Sequence, residues 1–269
     1  VICTICDARM NDASEAFYLT NPIQIVFRGA CFAETAIGIS DALRVIGIKS
    51  RIEEITDFEE NSTTWKSQIS DLQQIFIVLC PHSFEVLPVA SISFNLEQIS
   101  SPWMTPKYCK SLKDSLVVCD FSQANVQILK QCLELKHCLA LPIYIPHSCF
   151  TVEAYASFNH QKSVDVLFYG TPNERRLKMI EVLQSMGLTA EFHFGNSLYK
   201  DDRQMAVNRA RIVLNIHFYE EASLEVHRIM PLLAAGACVV SEPSSDPGLD
   251  FIYENAVAFA AYNDFPRTI

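Results

Sequence analysis

The sequence predicts an α/β protein built from two Rossmann-like domains that face a central cleft. Its 269 residues exceed the common size of a single domain. Short β-rich runs alternate with longer helical runs, which is typical of parallel sheets covered by helices on both faces. The alternation stops in the polar segment 147–163, which we interpret as a linker, and then starts again. We therefore expect an N-terminal domain in residues 1–150 and a C-terminal domain in residues 151–269.

The N-terminal half begins its alternation with the strand "IQIVF". The segment "RGACFAE" leads from this strand into the helical run "TAIGISDALRVIG", in which Ile37, Leu43 and Ile46 recur at near-helical spacing. The remaining predicted elements are the strand "SRIEEI", the helix "STTWKSQISDLQQ", the strands "IFIVLC", "VASISF" and "SLVVCD", the helix "SQANVQILKQCLEL", and the closing strand "CLALPIYIP". Ser122 is a natural N-cap for the last of these helices.

The C-terminal half repeats the pattern. Its first strand, "VDVLFYG", ends on Gly170, and Gly187 ends the helix that follows. The predicted elements after "VDVLFYG" are the helix "NERRLKMIEVLQSMG", the strand "TAEFHFG", the helix "DDRQMAVNRA", the strand "RIVLNIHF", the helix "SLEVHRIMPLLAAG", the strand "ACVVSE", the helix "DPGLDFIYEN" and the strand "AVAFAAY". In the helix "SLEVHRIMPLLAAG" we expect Ile229, Leu232 and Leu233 to form the core face.

The composition is that of a globular protein, and it argues against several classes of function. Hydrophobic residues make up 49% of the chain and charged residues 19%, with no long disordered block. A formal net charge of -10 argues against a nucleic-acid binder, because that role needs a basic surface. The longest apolar runs are much shorter than the ~20 residues that span a bilayer, so we expect no transmembrane segment.

Cysteine usage predicts a reduced, cytoplasmic protein. Several of the ten Cys residues lie inside apolar runs such as "FIVLC" and "GACVV", where a thiol is a small core side chain. Cys3 and Cys6 have the spacing of half a zinc site, but no second Cys-x-x-Cys follows, and we expect no metal site. The start "VICTICDARM" lacks an initiator Met and the basic leader of a signal peptide, which indicates a fragment.

The stretch "VLFYGTPNERR" is the first candidate ligand site. A buried strand ends at Gly170, a turn of Thr171, Pro172 and Asn173 follows, and a helix opens with two Arg in its first turns. The N–H groups at a helix N-terminus attract phosphate oxygens, and Arg binds such oxygens in bidentate fashion. The stretch therefore suits a pyrophosphate. The alternative is an ordinary strand-to-helix turn with solvated arginines.

The stretch "SLEVHRIMPLLAAGACVVSE" repeats this geometry two βα units later. The strand before it carries Asn215 and His217 near its carboxyl end, and Ser223 is the expected N-cap of the helix. His227 and Arg228 then fall in the first turn and a half, where the helix dipole favours acidic residues. This charge order is unfavourable unless an anion binds there. We interpret the stretch as the second half of one anion site.

These two stretches, "VDVLFYGTPNERR" and "ARIVLNIHFYEEASLEVHRIMPLLAAGACVVSE", resemble the donor-binding domain of GT-B glycosyltransferases. The similarity covers residues 164–260 and is greatest to the bacterial group 1-like and spore-maturation-type enzymes. It implies that the second Rossmann domain binds a nucleotide sugar, with the diphosphate at the glycine turn and at the N-terminus of the later helix. The predicted donor-binding residues are Gly170, Thr171, Asn173, Arg176, His217, Ser223, Leu224, Glu225, His227 and Arg228.

The chain departs from this family at one pair of positions. Many retaining members carry two Glu separated by seven residues, and an acidic residue on this helix often holds the ribose. Ser223 and Pro231 occupy the two positions here, so the ribose-binding role does not carry over to them. We assign that role to Glu225, whose alternative role is a carboxylate that complements the helix dipole. Whether the reaction retains or inverts the sugar configuration stays open.

The N-terminal half resembles the family only in its layout, so its acceptor-side residues are predicted from position. Glu34, His82, Glu97 and Asp120 each follow a predicted strand. Ligands of such sheets bind at the carboxyl ends of strands, where one of these groups could deprotonate an acceptor hydroxyl. Each could equally be structural, and we expect at most one of the four to act as the base.

The leading hypothesis is a metal-independent glycosyltransferase of glycan or polysaccharide assembly. It would move a sugar from a nucleotide diphosphate, bound as substrate rather than cofactor, to a glycan or lipid-linked hydroxyl, with peripheral membrane contact for a lipid-linked acceptor. A second hypothesis is a non-catalytic nucleotide-sugar or glycan-binding protein of the same fold, which the missing Glu pair favours. A third, a nicotinamide-dependent oxidoreductase, needs a G-x-G-x-x-G turn, and none of the eight Gly residues supplies that spacing.

Overall fold

The computed structural model describes residues 21–146, 149, 162–195, 198 and 200–269. The protein is α/β, with two parallel sheets, and it divides into two compact units, Val1–Tyr144 (unit 1) and Ile145–Ile269 (unit 2). The predicted linker lies almost wholly outside the described residues, and the Cys3 and Cys6 pair lies entirely outside them. Within the described part of the chain, no helix is long and apolar enough to cross a membrane.

Unit 1 contains a six-stranded sheet in which all neighbouring strands are parallel. Its strands are β1 (Ile23–Phe27), β2 (Ser50–Glu54), β3 (Phe76–Leu79), β4 (Ser91–Asn95), β5 (Val117–Asp120) and β6 (Cys138–Ala140). Its helices are α1 (Ala33–Val45), α2 (Asp57–Glu60), α3 (Thr63–Ile69), α4 (Pro106–Asp114) and α5 (Gln123–Leu133). The order across the sheet is β2-β1-β3-β4-β5-β6. The chain passes from β1 to β2 at one edge, and from β3 through β6 toward the other edge, so the connections switch sides between β1 and β3.

Burial across this sheet follows the hydrophobicity of its strands. Every residue of β3 and β5 is buried, as expected for parallel strands whose two faces are covered. The edge strand β2 has the polar sequence "SRIEE" and is mostly exposed, which discourages pairing with another chain. Trp65 of α3 anchors that helix to the sheet, because its ring packs edge-on against Phe76 with 5.9 Å between centroids.

Polar side chains define where the helices of unit 1 begin. The hydroxyl of Ser122 accepts a hydrogen bond from the N–H of Asn125 at 3.1 Å, so the predicted N-cap of α5 is confirmed. Helix α4 was not predicted, because "SSPWMTP" has the composition of a turn. The hydroxyl of Thr105 caps α4 by accepting from the N–H of Tyr108 at 3.2 Å, and Pro106 opens the helix.

Unit 2 contains a five-stranded sheet that is also parallel throughout. Its strands are β7 (Val164–Gly170), β8 (Ala190–Phe194), β9 (Ala210–Asn215), β10 (Val239–Ser241) and β11 (Val257–Phe259). Its helices are α6 (Glu174–Ser185), α7 (Lys200–Arg209), α8 (Val226–Ala234), α9 (Pro247–Tyr253) and α10 (Phe265–Thr268). The order is β8-β7-β9-β10-β11. The strand after β7 lies on one side of the β7 and β9 pair, and the strand after β9 lies on the other side.

The core of unit 2 packs β7, β9 and β10 against α6 and α10. Phe168 and Phe265 are fully buried in this cluster, and burial of Phe265 explains why the short, unpredicted helix α10 docks on the unit. On α8, Ile229 and Leu232 are buried as predicted, whereas Leu233 is only half-buried. The predicted core face of α8 is therefore confirmed at two of its three positions.

Helix α8 begins two residues later than predicted. Its first residue is Val226 and its N-cap is Glu225, so the prediction of Ser223 as the N-cap is wrong. The physical reason lies in the residue between them: Leu224 is fully buried, and its carbonyl accepts a hydrogen bond from the N–H of Val226 at 2.8 Å. This turn places Leu224 in the core and delays the helix.

Candidate functional site

The candidate site of unit 2 lies where β7 and β9 end. These strands are hydrogen-bonded neighbours, but the strands that follow them in the sequence lie on opposite sides. Such a switch point leaves a crevice outside the carboxyl ends of the strands, and ligands of open parallel sheets bind there. β7 ends at Gly170 and β9 ends at Asn215. The fold therefore brings the two predicted halves of the anion site to one place.

Gly170 allows two guanidinium groups to approach the end of β7. Its φ of 142° belongs to a region that residues with a side chain rarely adopt. A Cβ at this position would lie 3.0 Å from Nη1 of Arg228 and 3.4 Å from Nη1 of Arg176. The absence of a side chain at Gly170 is thus what permits both arginines to sit against the backbone of the turn.

Arg176 is buried and joins the loops that follow β7 and β9. Its Nε donates to the carbonyl of Ile216 at 2.9 Å, and its Nη1 donates to the carbonyl of Thr171 at 2.9 Å. The side chain is 3% exposed, so the alternative of a solvated arginine is wrong for this residue. Burial lowers the pKa of Arg176 to about 10, against the opposing effect of Glu225. The guanidinium remains charged at neutral pH.

Asn173 fixes the start of α6 and links it to the other loop. Its Oδ1 accepts from the backbone N–H of Arg176 at 2.8 Å, which makes it the N-cap. Its Nδ2 donates to the carbonyl of Phe218 at 2.6 Å. Asn173 therefore uses both ends of its amide to hold the glycine turn against the loop after β9.

Arg228 approaches the same turn from the first turn of α8. Its Nη2 donates to the carbonyl of Tyr169, and its guanidinium lies 4.5 Å from the centroid of the Tyr169 ring. Its Nη1 lies 3.7 Å from Oε2 of Glu225. Its Nε is buried and has no hydrogen-bond partner among the described residues. A ligand oxygen at that nitrogen would complete the hydrogen bonding of the side chain.

Glu225 is the shared counter-ion of these two arginines. Its Oε1 lies 3.3 Å from Nη2 of Arg176, and its Oε2 faces Arg228. Burial opposes ionisation of this carboxyl, but the two arginines and the nearby His217 and His227 outweigh it, and the pKa of Glu225 is lowered. Glu225 therefore carries its negative charge inside the cluster of guanidiniums.

A second ion pair at this edge was not predicted. Arg175 donates to Glu242 from both terminal nitrogens, with 2.6 Å between Nη1 and Oε1. Oε1 of Glu242 also accepts from the backbone N–H of His217 at 2.9 Å, and the Arg175 guanidinium lies 4.1 Å from the ring centroid of Tyr262. This hydrogen bonding raises the pKa of Arg175. Glu242 directly follows the strand "VVS", and this position at a strand end was the signal available in the sequence.

Several buried polar atoms at the ends of β7 and β9 have no hydrogen-bond partner among the described residues. His217 is fully buried, and neither of its ring nitrogens is paired. The Tyr169 hydroxyl and Oδ1 of Asn215 are also buried and unpaired among the described residues. Each such group costs about 1–3 kcal/mol when it stays unpaired. Their concentration at one edge is the pattern expected of a site that binds a polar ligand.

The buried and half-buried charges at this edge do not balance. Three guanidiniums, those of Arg175, Arg176 and Arg228, face two carboxylates, those of Glu225 and Glu242. The N-terminus of α8 adds a positive partial charge, since the dipole of a helix is positive at that end. These five side chains taken alone carry one more positive than negative charge, while the exposed Glu220 of the loop after β9 adds a negative charge that acts on Arg175.

The other predicted donor-binding residues have diverse positions. Thr171 is exposed and uses its carbonyl to hold Arg176. Ser223 and Leu224 are buried in the turn before α8, and His227 is half-buried in its first turn. The Leu224 side chain is fully buried in the core, so only the backbone of this residue is available to a ligand.

In unit 1 the structure brings His82 and Glu97 together. The 3₁₀ turn after β3 carries His82, the loop after β4 carries Glu97, and 3.9 Å separates Nε2 of His82 from Oε2 of Glu97. Nδ1 of His82 lies 3.4 Å from the thiol of Cys80. Burial lowers the pKa of His82, with an opposing effect from Glu97. Glu34 is buried in the first turn of α1, after β1.

Asp120, the fourth predicted base, is fully buried at the end of β5. Its carboxylate accepts from Nδ2 of Asn95 at 2.7 Å, from the N–H of Ser122 at 2.8 Å and from Nδ2 of Asn125 at 3.1 Å. Oδ1 of Asn95 in turn accepts from the hydroxyl of Tyr108 at 2.6 Å. Burial raises the pKa of Asp120 to about 7, although these three donors act in the opposite direction.

A cavity of about 440 Å³ in unit 1 lies away from all the predicted site residues. It is lined by side chains that precede β5 and β6, among them Lys113, Ser115, Lys136 and His137. Those positions belong to the amino ends of the strands, the edge opposite to the one where ligands of such sheets bind. The part of the chain that the structure describes contains no group of three His, Cys, Asp or Glu residues arranged to hold a metal ion.

No protein-family model and no curated protein matches this chain.

Proposed function

We propose that this protein is a glycosyltransferase that transfers a sugar from a nucleotide diphosphate to a hydroxyl acceptor, with the donor diphosphate bound by unit 2. The observation that carries the proposal is the convergence of Arg176 and Arg228 at the switch point of β7 and β9. The arrangement of two Rossmann-like domains around a cleft, as in GT-B enzymes, is part of the proposal.

The unpaired nitrogen atoms at this edge favour a ligand with several acceptor oxygens, whereas Oδ1 of Asn215 and Oε2 of Glu225 require a donor on the same ligand. Among the described residues, the buried Nε of Arg228 and both ring nitrogens of His217 have no hydrogen-bond partner. A diphosphate accepts hydrogen bonds at many oxygens and is attracted by the guanidiniums of Arg176 and Arg228. A ligand with a single carboxylate would satisfy fewer of these groups.

The same groups supply the chemistry of the reaction. Negative charge develops on the diphosphate as its bond to the sugar breaks, and preorganised positive groups stabilise it. Arg228 and the N-terminus of α8 are fixed in place before a ligand arrives, since carbonyl oxygens and Glu225 already hold the guanidinium. The proposed reaction therefore uses protein cations where other enzymes use a metal ion.

The acceptor, its location and its partners follow from the proposed reaction. The acceptor is a glycan or a lipid-linked sugar, reached in the second case by peripheral contact with a membrane. The reaction takes place in the cytoplasm, a location supported by the buried free thiols of Cys80, Cys119 and Cys138. If the reaction inverts the sugar configuration, His82 with Glu97 is the favoured base in unit 1.

Ligand binding to matched variants tests the proposal. Calorimetric titration with UDP, GDP, inorganic pyrophosphate and NAD should give saturable binding of at least one diphosphate and none of NAD. Arg228→Gln should weaken that binding at least about tenfold. Arg211→Gln is the control, because Arg211 is exposed at the amino end of β9 and pairs with Asp165. An equal loss of diphosphate affinity in both variants, or binding of NAD without binding of any diphosphate, would contradict the proposal.

Turnover separates the enzyme from a binding protein of the same fold. If the protein binds UDP or GDP, it should be incubated with sugar nucleotides of that diphosphate and with a panel of glycan acceptors. The released nucleoside diphosphate should then be measured. We expect slow hydrolysis without acceptor and faster release with a suitable acceptor. Tight binding with no release under either condition would support the alternative of a non-catalytic nucleotide-sugar-binding protein.

A further inference from the structure

Unit 1 carries an aromatic and polar cluster at the ends of β3 and β4 that the diphosphate site does not use. We name it the Trp103 cluster, and its members are Cys80, His82, Glu97, Trp103 and Tyr108. The His82 ring lies 5.6 Å from the centroid of Trp103 and 5.6 Å from that of Tyr108. Oε2 of Glu97 lies 3.9 Å from Nε2 of the imidazole.

Trp103 is exposed although the turn that carries it is well ordered by hydrogen bonds. The side chain is 58% exposed, whereas Trp65, the other Trp of the chain, is 3% exposed. The N–H of Trp103 donates to the hydroxyl of Ser101 at 3.2 Å, and its carbonyl accepts from the N–H of Thr105 at 2.7 Å. A large aromatic face that projects into solvent from an ordered turn is a surface suited to ligand binding.

The polar members of the cluster are fixed but remain accessible. His82 and Glu97 are each 17% exposed, so both reach the surface beside Trp103. Nδ1 of His82 faces the Cys80 thiol, and Oε1 of Glu97 accepts from the N–H of Gln98 at 3.0 Å. These contacts orient the imidazole and the carboxylate, and Nε2 of His82 lies 3.9 Å from Oε2 of Glu97.

The charge of the cluster selects among the ligands that stack on an aromatic ring. Glu97 supplies the one carboxylate of the cluster, and this carboxylate reaches the surface. Lys107, the nearby exposed cation, already pairs with Glu85. An anionic ligand such as a nucleotide is therefore disfavoured. A neutral pyranose fits, because its C–H groups pack on an indole face and its hydroxyls bond to carboxylate and imidazole.

We infer that the Trp103 cluster is a binding subsite for a neutral pyranose, which stacks on Trp103 and bonds through its hydroxyls to Glu97 and His82. The inference rests on the proposed function in one respect: the bound sugar is then the acceptor, so the acceptor is a carbohydrate. The binding step itself requires no donor, and it is tested without one.

Tryptophan fluorescence offers a direct test because the chain has only two Trp residues. Methyl pyranosides of glucose, galactose, mannose and N-acetylglucosamine are titrated to high millimolar concentration into the wild type, Trp65→Phe and Trp103→Phe. At least one glycoside should change the emission saturably in the wild type and in Trp65→Phe, and should have no effect on Trp103→Phe. No response to any glycoside, or a response that persists in Trp103→Phe, would overturn the inference.

Binding affinity by calorimetry provides a measurement that does not depend on a reporter. Trp103→Ala and Glu97→Gln should each raise the Kd of the responsive glycoside at least about tenfold. Leu72→Ala is the matched control, since Leu72 is an exposed apolar side chain of unit 1 outside the cluster, 71% exposed against 58% for Trp103, and the Kd of this variant should equal that of the wild type. Unchanged affinity in Trp103→Ala, with a native circular dichroism spectrum, overturns the inference.

Failure of this inference and failure of the proposed function give different results. Glycoside binding that depends on Trp103, with no diphosphate binding by unit 2, supports the subsite and contradicts the glycosyltransferase. Sugar transfer whose acceptor KM is unchanged in Trp103→Ala supports the glycosyltransferase and contradicts the subsite. Both are supported when Trp103→Ala raises the acceptor KM at least about tenfold while the KM of the donor stays constant.

Discussion

Glu225, the N-cap of α8, forms a largely buried ion pair with Arg176, with 3.3 Å between Oε1 and Nη2. The carboxylate also faces Arg228, so it neutralises part of the positive charge that would attract a diphosphate. This relationship separates two roles for Glu225. As a counter-ion it opposes the binding of phosphate, whereas as a ribose ligand, the role that we assign to it because the family's own Glu positions are Ser223 and Pro231 here, it would favour the binding of a nucleoside.

We predict that Glu225→Gln raises the affinity for inorganic pyrophosphate and for UDP alike, by roughly tenfold, because one negative charge leaves the site. Isothermal titration of both ligands measures the change. The variant should also unfold at a lower urea concentration, since the arginines lose a charged partner. The pKa of Glu225 is lowered from 4.5, so this stability difference is full above that pH and shrinks as the pH falls further.

A split between the two ligands would assign the other role. Unchanged affinity for pyrophosphate together with weaker binding of UDP would show that Glu225 contacts the nucleoside. Asp165→Asn serves as the control, because Asp165 is a half-exposed carboxylate of the same unit that pairs with Arg211 at the other end of the sheet. Its removal should leave the affinity for both ligands as in the wild type.

Gly170→Ala should reduce both stability and anion binding. The backbone there has a φ of 142°, and the new methyl group would lie 3.0 Å from Nη1 of Arg228. The strain should lower the free energy of unfolding by about 1–3 kcal/mol, and displacement of Arg228 should weaken pyrophosphate binding. Urea denaturation and calorimetric titration measure the two effects.

Gly187→Ala is a control for the backbone term alone. Gly187 follows α6 with a φ of 76°, and a Cβ there would have no heavy atom within 4 Å. The variant should lose about 1–2 kcal/mol of stability and retain the full affinity for pyrophosphate. If Gly170→Ala kept the affinity of the wild type, Arg228 would not need its close approach to the turn.

Glu242→Gln should destabilise unit 2, although Glu242 itself was not among the predicted site residues. The side chain accepts two hydrogen bonds from Arg175 and one from the backbone of His217. A neutral amide would leave the half-buried guanidinium without a counter-charge, at a cost of about 3 kcal/mol. Thermal and urea unfolding measure this loss.

The exposed pair of Glu174 and Lys178 on α6 is the matched control for Glu242→Gln. Both of its side chains lie mostly in solvent, where water and salt screen the attraction. Glu174→Gln should therefore leave the unfolding curve indistinguishable from that of the wild type. Similar losses in the two variants would mean that burial adds nothing to the pair of Arg175 and Glu242.

The strands were predictable because burial leaves a local signature. Runs such as "IFIVLC" and "VVCD" are apolar along their whole length, as expected of parallel strands covered on both faces, and they correspond to β3 and β5. The start of α8 was not predictable in the same way. Ser223 has the side chain of an N-cap, but burial of Leu224 decided where the helix begins.

The parts of the site that lie at the ends of single strands were predictable. The parts that depend on how neighbouring strands align with each other were not. Gly170 and Arg228 both follow from the rule that ligands of such sheets bind at the carboxyl ends of strands. Glu242 pairs with Arg175 because β10 lies beside β9 with Ser241 opposite Asn215. No local pattern specifies that alignment. Burial of Arg176 likewise depends on loops that are distant in sequence.

Asp120 makes the stability of unit 1 depend on pH. Burial raises the pKa of this carboxyl from 3.8 to about 7, so folding favours its protonated form. Its contribution to stability is complete below its unfolded pKa and is lost as the pH rises through 7. The free energy of unfolding should therefore carry a component that falls by up to about 1.4 kcal/mol per pH unit over this range.

Asp120→Asn should remove that component. The variant loses stability overall, because an amide nitrogen then meets the donors of Asn95 and Asn125, which bond to the carboxylate in the wild type. The deficit of the variant relative to the wild type should be largest at low pH and should shrink as the pH rises through 7. Urea unfolding of both proteins at a series of pH values measures it. A deficit that stays constant would show that Asp120 ionises in the folded protein much as it does in the unfolded chain, and that its three hydrogen bonds offset its burial.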